Sequence, residues 1–194
     1  MMRIYLIRHG KTMANENWLY CGSTDLPLSE NGLRELEEYK KTVRYPDISG
    51  CKVYTSGMLR TEQTLSVLYG EIPHKVDRRL REMDFGDFEM QDYEHLKEQP
   101  DYQAWITGDN MANICPNGES GNMMVKRALE ALKDIVCAKE NAAVFSHGGI
   151  IASVMDSLFP EQGRSRYQWQ PKNGLGYCVE IDGPDKDFCE IKQE

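Results

Sequence analysis

Arg3-Ile4-Tyr5-Leu6-Ile7 runs without a break into Arg8-His9-Gly10. A short, nearly unbroken apolar run of strand formers is the pattern of a strand covered on both faces, as in a parallel sheet. The run then stops at a cation, an imidazole and a glycine. The same sequence of events recurs far along the chain, where Ala142-Ala143-Val144-Phe145 passes into Ser146-His147-Gly148-Gly149. Between and after these runs the apolar period changes to that of helices. Ser29 is a plausible N-cap for a helix carrying Leu33, Leu36, Tyr39 and Val43, which stops before Tyr45-Pro46. Lys52-Val53-Tyr54-Thr55 reads as a second short strand, and Leu65, Leu68 and Tyr69 mark the helix after it, with Gly70 near its end. Met124, Ala128, Ala131, Leu132 and Ile135 lie on one face of the clearest helix in the chain. Ile151, Val154, Met155 and Leu158 mark another. Tyr177 to Ile181 and Phe188 to Ile191 flank the turn Asp182-Gly183-Pro184-Asp185 and predict a terminal hairpin.

Strands alternating with helices imply an α/β sandwich around a mostly parallel sheet. Ligands of such sheets bind beyond the carboxyl ends of the strands. Two strands distant in sequence can therefore deliver His9 and His147 to one crevice. Met83 to Asn122 is less regular and is read as an excursion of short helices over the site. The expected organisation is a single domain over residues 1–194, with a lid-like insertion around 83–122.

The 194 residues suit one domain, and 40% hydrophobic residues suffice for a sizeable core. Lys plus Arg is 23 and Asp plus Glu is 31, a net charge of −8. That excess disfavours general binding to nucleic acid or anionic membrane, while leaving room for a local basic pocket. No apolar run approaches the roughly 20 residues that span a bilayer. Met1 to Ile7 is too short for a signal h-region. Cys21, Cys51, Cys115, Cys137, Cys178 and Cys189 are scattered with no Cys-x-x-Cys pair. Reduced thiols in a cytoplasmic protein are the expectation, with no zinc site.

Phosphate monoesters hydrolyse so slowly in water that enzymes accelerate them by up to about 10²¹. Catalysis needs cations for the equatorial oxygens, an in-line nucleophile and an acid for the leaving oxygen. Arg8 and Arg60 can make planar paired hydrogen bonds to phosphate. His9 can attack through a neutral ring nitrogen, and neighbouring guanidiniums disfavour its imidazolium. His147, if protonated, is a further donor to the phosphoryl group. Glu82 is the candidate proton donor, since a phosphate dianion beside it favours the acid form. The expected product of attack is a phosphohistidine, which water activated by Glu82 then hydrolyses. No metal or other cofactor is required.

Arg8-His9-Gly10-Lys11-Thr12, followed by Asn15, resembles the signature of the histidine phosphatase superfamily, the phosphoglycerate mutase-like family. Asp25 to Gly32 is similar to that family's turn into its first helix, and Tyr54 to Thr64 to the segment bearing its second arginine. Leu80 to Asp87 is similar to the acid-bearing segment, Gly118-Glu119-Ser120 to the start of the long helix, and Ser146 to Gly149 to the second histidine. The resemblance implies His9 as nucleophile, Arg8, Arg60 and His147 as phosphate ligands, and Glu82 as acid and base. It implies substrate contact for Asn15. It also implies a three-layer α/β/α sandwich with about six strands, one antiparallel. Lys11 stands where the family often has Glu, and Phe88-Glu89-Met90 where Trp-Glu-Gly is common.

Each residue also has a plainer reading. A histidine after a buried strand often packs or caps, and an arginine near a helix start is often solvated. Asp84, Asp87 and Glu89 rival Glu82, and Asn15 can serve its own loop through an Asx-type turn. His74 and His95 belong to no motif. Cys178 and Cys189 can face each other across the hairpin as reduced thiols. Arg164, Arg166 and Lys172 beside Trp169 read as a solvated loop or as a contact for an anionic substrate. Trp105 and the Met-rich middle either line a specificity pocket or pack a lid.

Three functions fit. The first is a metal-independent phosphatase hydrolysing a small-molecule phosphomonoester. The second is a phosphoglycerate mutase, and the third a non-catalytic phosphate-binding protein. The full catalytic set disfavours the third. A chain ending at Glu194 has little material for the tail with which family mutases shield their intermediate. Compact size and Trp18 to Asp25 resemble the α-ribazole phosphatases and their broad-specificity relatives, so α-ribazole phosphate and sugar or glycerate phosphates are the expected substrates. The expected partner is a small phosphorylated metabolite rather than nucleic acid or membrane, with a homodimer left open.

Overall fold

The computed structural model describes residues 1–109 and 111–193; position 110, inside the 83–122 excursion, lies outside the described residues. Strand β1 (Met2–Arg8) is followed by a one-turn helix α1 (Met13–Glu16) and by α2 (Glu30–Thr42). Ser29 caps α2 by accepting the Gly32 N–H at 2.9 Å, a bond worth about 1 kcal/mol. Gly32 is needed there, because a Cβ would sit 2.1 Å from the Lys11 carbonyl oxygen in the loop after His9. Strand β2 (Lys52–Thr55), helix α3 (Leu59–Tyr69) and strand β3 (Lys75–Val76) come next. The short helices α4 (Tyr93–Leu96) and α5 (Pro100–Ile106) precede the long α6 (Gly121–Cys137). The chain closes with β4 (Ala142–Ser146), α7 (Gly148–Leu158), α8 (Arg166–Trp169), β5 (Gly176–Asp182) and β6 (Asp185–Ile191).

The six strands form one sheet in the order β3-β2-β4-β1-β5-β6. Neighbours β1, β4, β2 and β3 run parallel, β5 runs antiparallel to β1, and β6 antiparallel to β5. Alternation along β1 divides the core. Ile4 and Leu6 join Val144 and the inner faces of α6 and α7 on one side. Tyr5 and Ile7 join Phe145, Leu36, Leu65 and Leu68 on the other. The result is the α/β sandwich around a mostly parallel sheet expected from the apolar runs, with the three α/β/α layers that the family resemblance implies. All five residues of the predicted α6 stripe are buried, and each large aliphatic among them stabilises by roughly 1.5–3 kcal/mol.

Strand β3 was not legible in the sequence. It is two exposed residues long, paired as Tyr54↔Lys75 and Thr55↔Val76, and too short to carry a period. Cys178 and Cys189 are register partners across the terminal hairpin, and all six cysteines are free thiols. Tyr102 and Trp105 of α5 belong to the same buried cluster as Met124 and Val144, so this part of the excursion shares the main core. No helix among the described residues is long and apolar enough to cross a membrane.

Candidate active site

The register Ile7↔Phe145 and Arg8↔Ser146 aligns the carboxyl ends of β1 and β4. The His9 N–H donates to the Ser146 carbonyl at 3.0 Å, and the His9 and His147 rings lie with centroids 5.1 Å apart. His9 Nδ1 is 2.6 Å from the Gly10 carbonyl oxygen. A carbonyl only accepts, so Nδ1 carries the proton and Nε2 keeps a free lone pair. Burial, then the Arg60 and Arg8 guanidiniums, hold the His9 imidazole well below its usual range. It is therefore neutral at pH 7, the form that can attack.

Arg60, on the first turn of α3, is 1% exposed. Its Nη1 and Nη2 donate to the carbonyls of Thr24 and Gly22 at 2.9 and 2.8 Å, and its Nε donates to His147 Nδ1 at 3.2 Å. That last bond requires an unprotonated Nδ1, so His147 holds its proton on Nε2, which donates to Ser56 Oγ at 2.8 Å. Thr61 donates to the Met58 carbonyl at 2.8 Å, which directs the Ser56 hydroxyl into Thr61 Oγ1 at 3.0 Å. Burial, then Arg60, keep His147 well below the ordinary imidazole range. His147 is thus a neutral imidazole with both nitrogens engaged. Arg8 gives Nη1 to the Pro171 carbonyl at 2.7 Å, and its Nε is buried without a partner. Among the described residues, neither Arg8 nor Arg60 has a carboxylate within 4.0 Å.

Glu82 follows a short turn of helix, Arg78–Leu80. Its Oε2 accepts the Gly149 N–H at the start of α7 at 2.9 Å, and Oε1 accepts the Met83 N–H at 3.1 Å. Gly149 permits this approach, since a Cβ would lie 2.5 Å from Glu82 Oε1. Arg127 on α6 secures the segment from behind. It pairs with Glu119 at 2.7 Å and donates to the carbonyls of Arg79, Arg81 and Glu82.

The rival acids have other work. Glu89 accepts the backbone N–H groups of Gly22, Ser23, Thr24 and Phe85 and the Thr24 hydroxyl, all between 2.7 and 3.2 Å. It thereby shapes the loop whose carbonyls hold Arg60. Asp84 accepts from the Gly86 N–H, and Asp87 from Asn117. We expect Glu89→Ala to cost about 2–3 kcal/mol, through five donors left without an acceptor. It should also lower kcat/KM on the order of tenfold to a hundredfold by letting Arg60 drift. Thermal melting and steady-state kinetics check both; an unchanged melting temperature would remove this role.

Asn15 Oδ1 accepts the Thr12 N–H at 3.0 Å as part of a capping box, so its turn role is real. The residue also lines, with Arg8, Lys172 and Asn173, an open groove of about 970 Å³. Asn173 Nδ2 donates to the His9 carbonyl at 3.1 Å. His74 and His95 pair with Glu62 and Asp92 and take no part in the crevice. Arg164 stacks on Trp169, 4.6 Å from the ring centroid, and sits 3.5 Å from Glu190. Trp105 and Arg166 line a cavity of about 520 Å³ beside Glu82. Ser56, Thr61, Arg127 and Asn173 had no assigned role in the sequence, and Glu89 was considered there only as a rival acid. The usable signal was polar: Thr61 and Thr64 occupy helix positions facing the interior, where an apolar residue is the default. Among the described residues, no cluster of three or more His, Cys, Asp or Glu is arranged to hold a metal.

Paired imidazoles and guanidiniums at the strand ends of a parallel sheet define an α/β protein suited to a tetrahedral oxyanion. The model of the histidine phosphatase superfamily (branch 1) matches residues 4–190, and the chain belongs to that superfamily. It is 29% identical to the adenosylcobalamin/α-ribazole phosphatase of Salmonella typhimurium, over 93% of this chain and 91% of that one. It is 30% identical to a protein of Erwinia tasmaniensis named "Probable phosphoglycerate mutase GpmB", over 94% and 93%. Among solved structures, TTHB049 of Thermus thermophilus aligns with a TM-score of 0.77 at 26% identity, over 98% of this chain and 99% of that one. The α-ribazole phosphatase of Shigella flexneri shares the fold with a TM-score of 0.83 at 24% identity, over 98% and 96%.

Proposed function

We propose that this chain is a metal-independent phosphatase that hydrolyses a small-molecule phosphomonoester through a phosphohistidine. One observation carries the reading: among the described residues, the guanidiniums of Arg60 and Arg8 stand without a carboxylate partner next to a neutral His9 whose Nε2 is free. A guanidinium taken out of water without a counter-ion is costly, and a bound phosphate supplies the missing charge. Arg8 and Arg60, with Asn15 at the groove, bind the phosphoryl oxygens, and His147 joins them when its Nε2–H turns from Ser56 Oγ to the phosphate. His9 Nε2 attacks phosphorus as the ester P–O bond breaks, and the Glu82 acid gives its proton to the departing oxygen. The Nδ1–H bond to the Gly10 carbonyl stabilises the cationic phosphohistidine. Water then attacks phosphorus, Glu82 takes its proton, the P–N bond breaks, and inorganic phosphate leaves with His9 neutral and Glu82 reprotonated.

Residues 83–122 act as a lid over this site within one domain. The named relatives favour α-ribazole phosphate as substrate, with sugar and glycerate phosphates next. The E. tasmaniensis relative supports the second reading, a phosphoglycerate mutase that returns the phosphoryl group to a substrate. A net charge of −8 argues against nucleic acid or membrane as partner, and free cysteines suit the cytoplasm. The test is phosphate release from a panel of phosphometabolites, α-ribazole phosphate included, with and without excess chelator. Mutase activity with 2,3-bisphosphoglycerate is measured in parallel. We expect release that survives the chelator and exceeds mutase turnover. Full loss in chelator overturns the metal-independent mechanism, and faster mutase turnover makes the second reading correct.

A further inference from the structure

The cavity beside Glu82 is walled by rings and thioethers, among them Tyr20, Phe85, Trp105 and Met124. At about 520 Å³ it is of the size that encloses a small ligand. Glu82, the proposed proton donor, lines it, so the part of the substrate that leaves with the accepted proton belongs there. A three-carbon alcohol would leave most of that volume to water.

Arg166 is the cation among the described residues of this lining, whose apolar groups also surround the Glu82 carboxylate and the Gln170 amide. It projects from α8 to Ser153 on α7, where Nη2 donates to Oγ at 2.6 Å, and Nη1 faces the Met111 sulfur. Ser153 in turn donates at 2.6 Å to the carbonyl of Gly149, the residue whose N–H Glu82 accepts. Among the described residues, no carboxylate lies within 4.0 Å of Arg166. A neutral hydroxyl and a thioether are poor partners for a guanidinium held among apolar groups. Arg166 Nε is buried with no partner, and so is Trp105 Nε1 on another wall of the same cavity. Buried donors in native proteins are nearly always satisfied, so the protein leaves hydrogen-bonding capacity unspent on both residues.

Resting on the phosphatase reading, we propose that this cavity is the leaving-group subsite and that Arg166, with Trp105, selects phosphomonoesters whose alcohol carries a second anionic group, ahead of uncharged alcohols such as that of the α-ribazole phosphate the relatives' names suggest. The shared chemistry is an anionic oxygen, supplied by a carboxylate or by a second phosphate. Arg166 would bind it in the ground state and in the transition state alike, so the effect falls on kcat/KM more than on kcat.

The experiment compares kcat/KM for phenyl phosphate, 3-carboxyphenyl phosphate and the bisphosphate of 1,3-dihydroxybenzene, whose leaving phenols are closely matched. For the wild-type protein we expect at least one anionic ester to be preferred over phenyl phosphate by about tenfold or more, the worth of a charge-assisted hydrogen bond. The carboxylate and bisphosphate arms tell which anion it is. In Arg166→Gln the ratio should collapse toward one. Should that variant fail to fold, Trp105→Phe, which deletes the indole N–H, is expected to shrink the same ratio. Hydrolysis of all three esters at equal efficiency by the wild-type protein overturns the subsite while leaving the phosphatase reading standing. A ratio unchanged in Arg166→Gln overturns the role of that residue. Absence of hydrolysis of every ester overturns the phosphatase reading, and this inference with it.

Discussion

His9→Ala should lose turnover by roughly 10⁴-fold or more, the scale seen when a covalent nucleophile is deleted. No neighbouring group can take over. His147 has Nδ1 engaged by Arg60 and Nε2 by Ser56, so neither of its nitrogens offers a free lone pair to phosphorus. The fold should survive, because the His9 side chain makes one hydrogen bond, to the carbonyl of the adjacent Gly10. Its removal also relieves the crowding of an imidazole against two guanidiniums. We expect a melting temperature within a few degrees of wild type, an acid-labile phosphoenzyme trapped from the wild-type protein, and none from the variant. Turnover retained by a well-folded His9→Ala protein would end the phosphohistidine mechanism.

Glu82→Gln should slow hydrolysis of alkyl phosphates by about 10²–10⁴-fold, the usual contribution of a positioned general acid. The loss depends on the leaving group. An alkoxide cannot depart without a proton, whereas 4-nitrophenolate can, so 4-nitrophenyl phosphate should be affected far less in the phosphorylation step. Geometry alone costs something too. Glu82 uses one oxygen for Gly149 and the other for Met83, and a glutamine can accept from only one of them. A purely structural defect would slow both classes of ester alike. The measurement is therefore the ratio of the two losses, and equal losses would remove Glu82 from the acid's role. Glu89→Gln is the control at the rival carboxylate. Its defect should be indifferent to the leaving group, because Glu89 acts on the loop that holds Arg60.

Much of the architecture is legible in the chain itself. The unbroken apolar run Ile4 to Ile7 reports a strand covered on both faces, the α6 stripe from Met124 to Ile135 reports which side of that helix faces apolar neighbours, and burial follows in the structure. A strand that stops at Arg-His-Gly or Ser-His-Gly announces its functional end, because nothing in the packing of a sheet asks for those residues there. Local pattern can say no more than that. Glu82 and Glu89 are seven residues apart on one irregular segment, and their roles separate only when the 22–24 loop surrounds one and the start of α7 meets the other. The proton on His147 is placed by Arg60 and Ser56, 87 and 91 residues away. Arg166, ambiguous between solvent and substrate in the sequence, faces a cavity that exists only once α5, α6, α7 and α8 have packed. Periodicity records the hydrophobic effect, which is non-directional and summed over a local element. Hydrogen bonds are directional and pairwise, and their partners come together only through the tertiary fold.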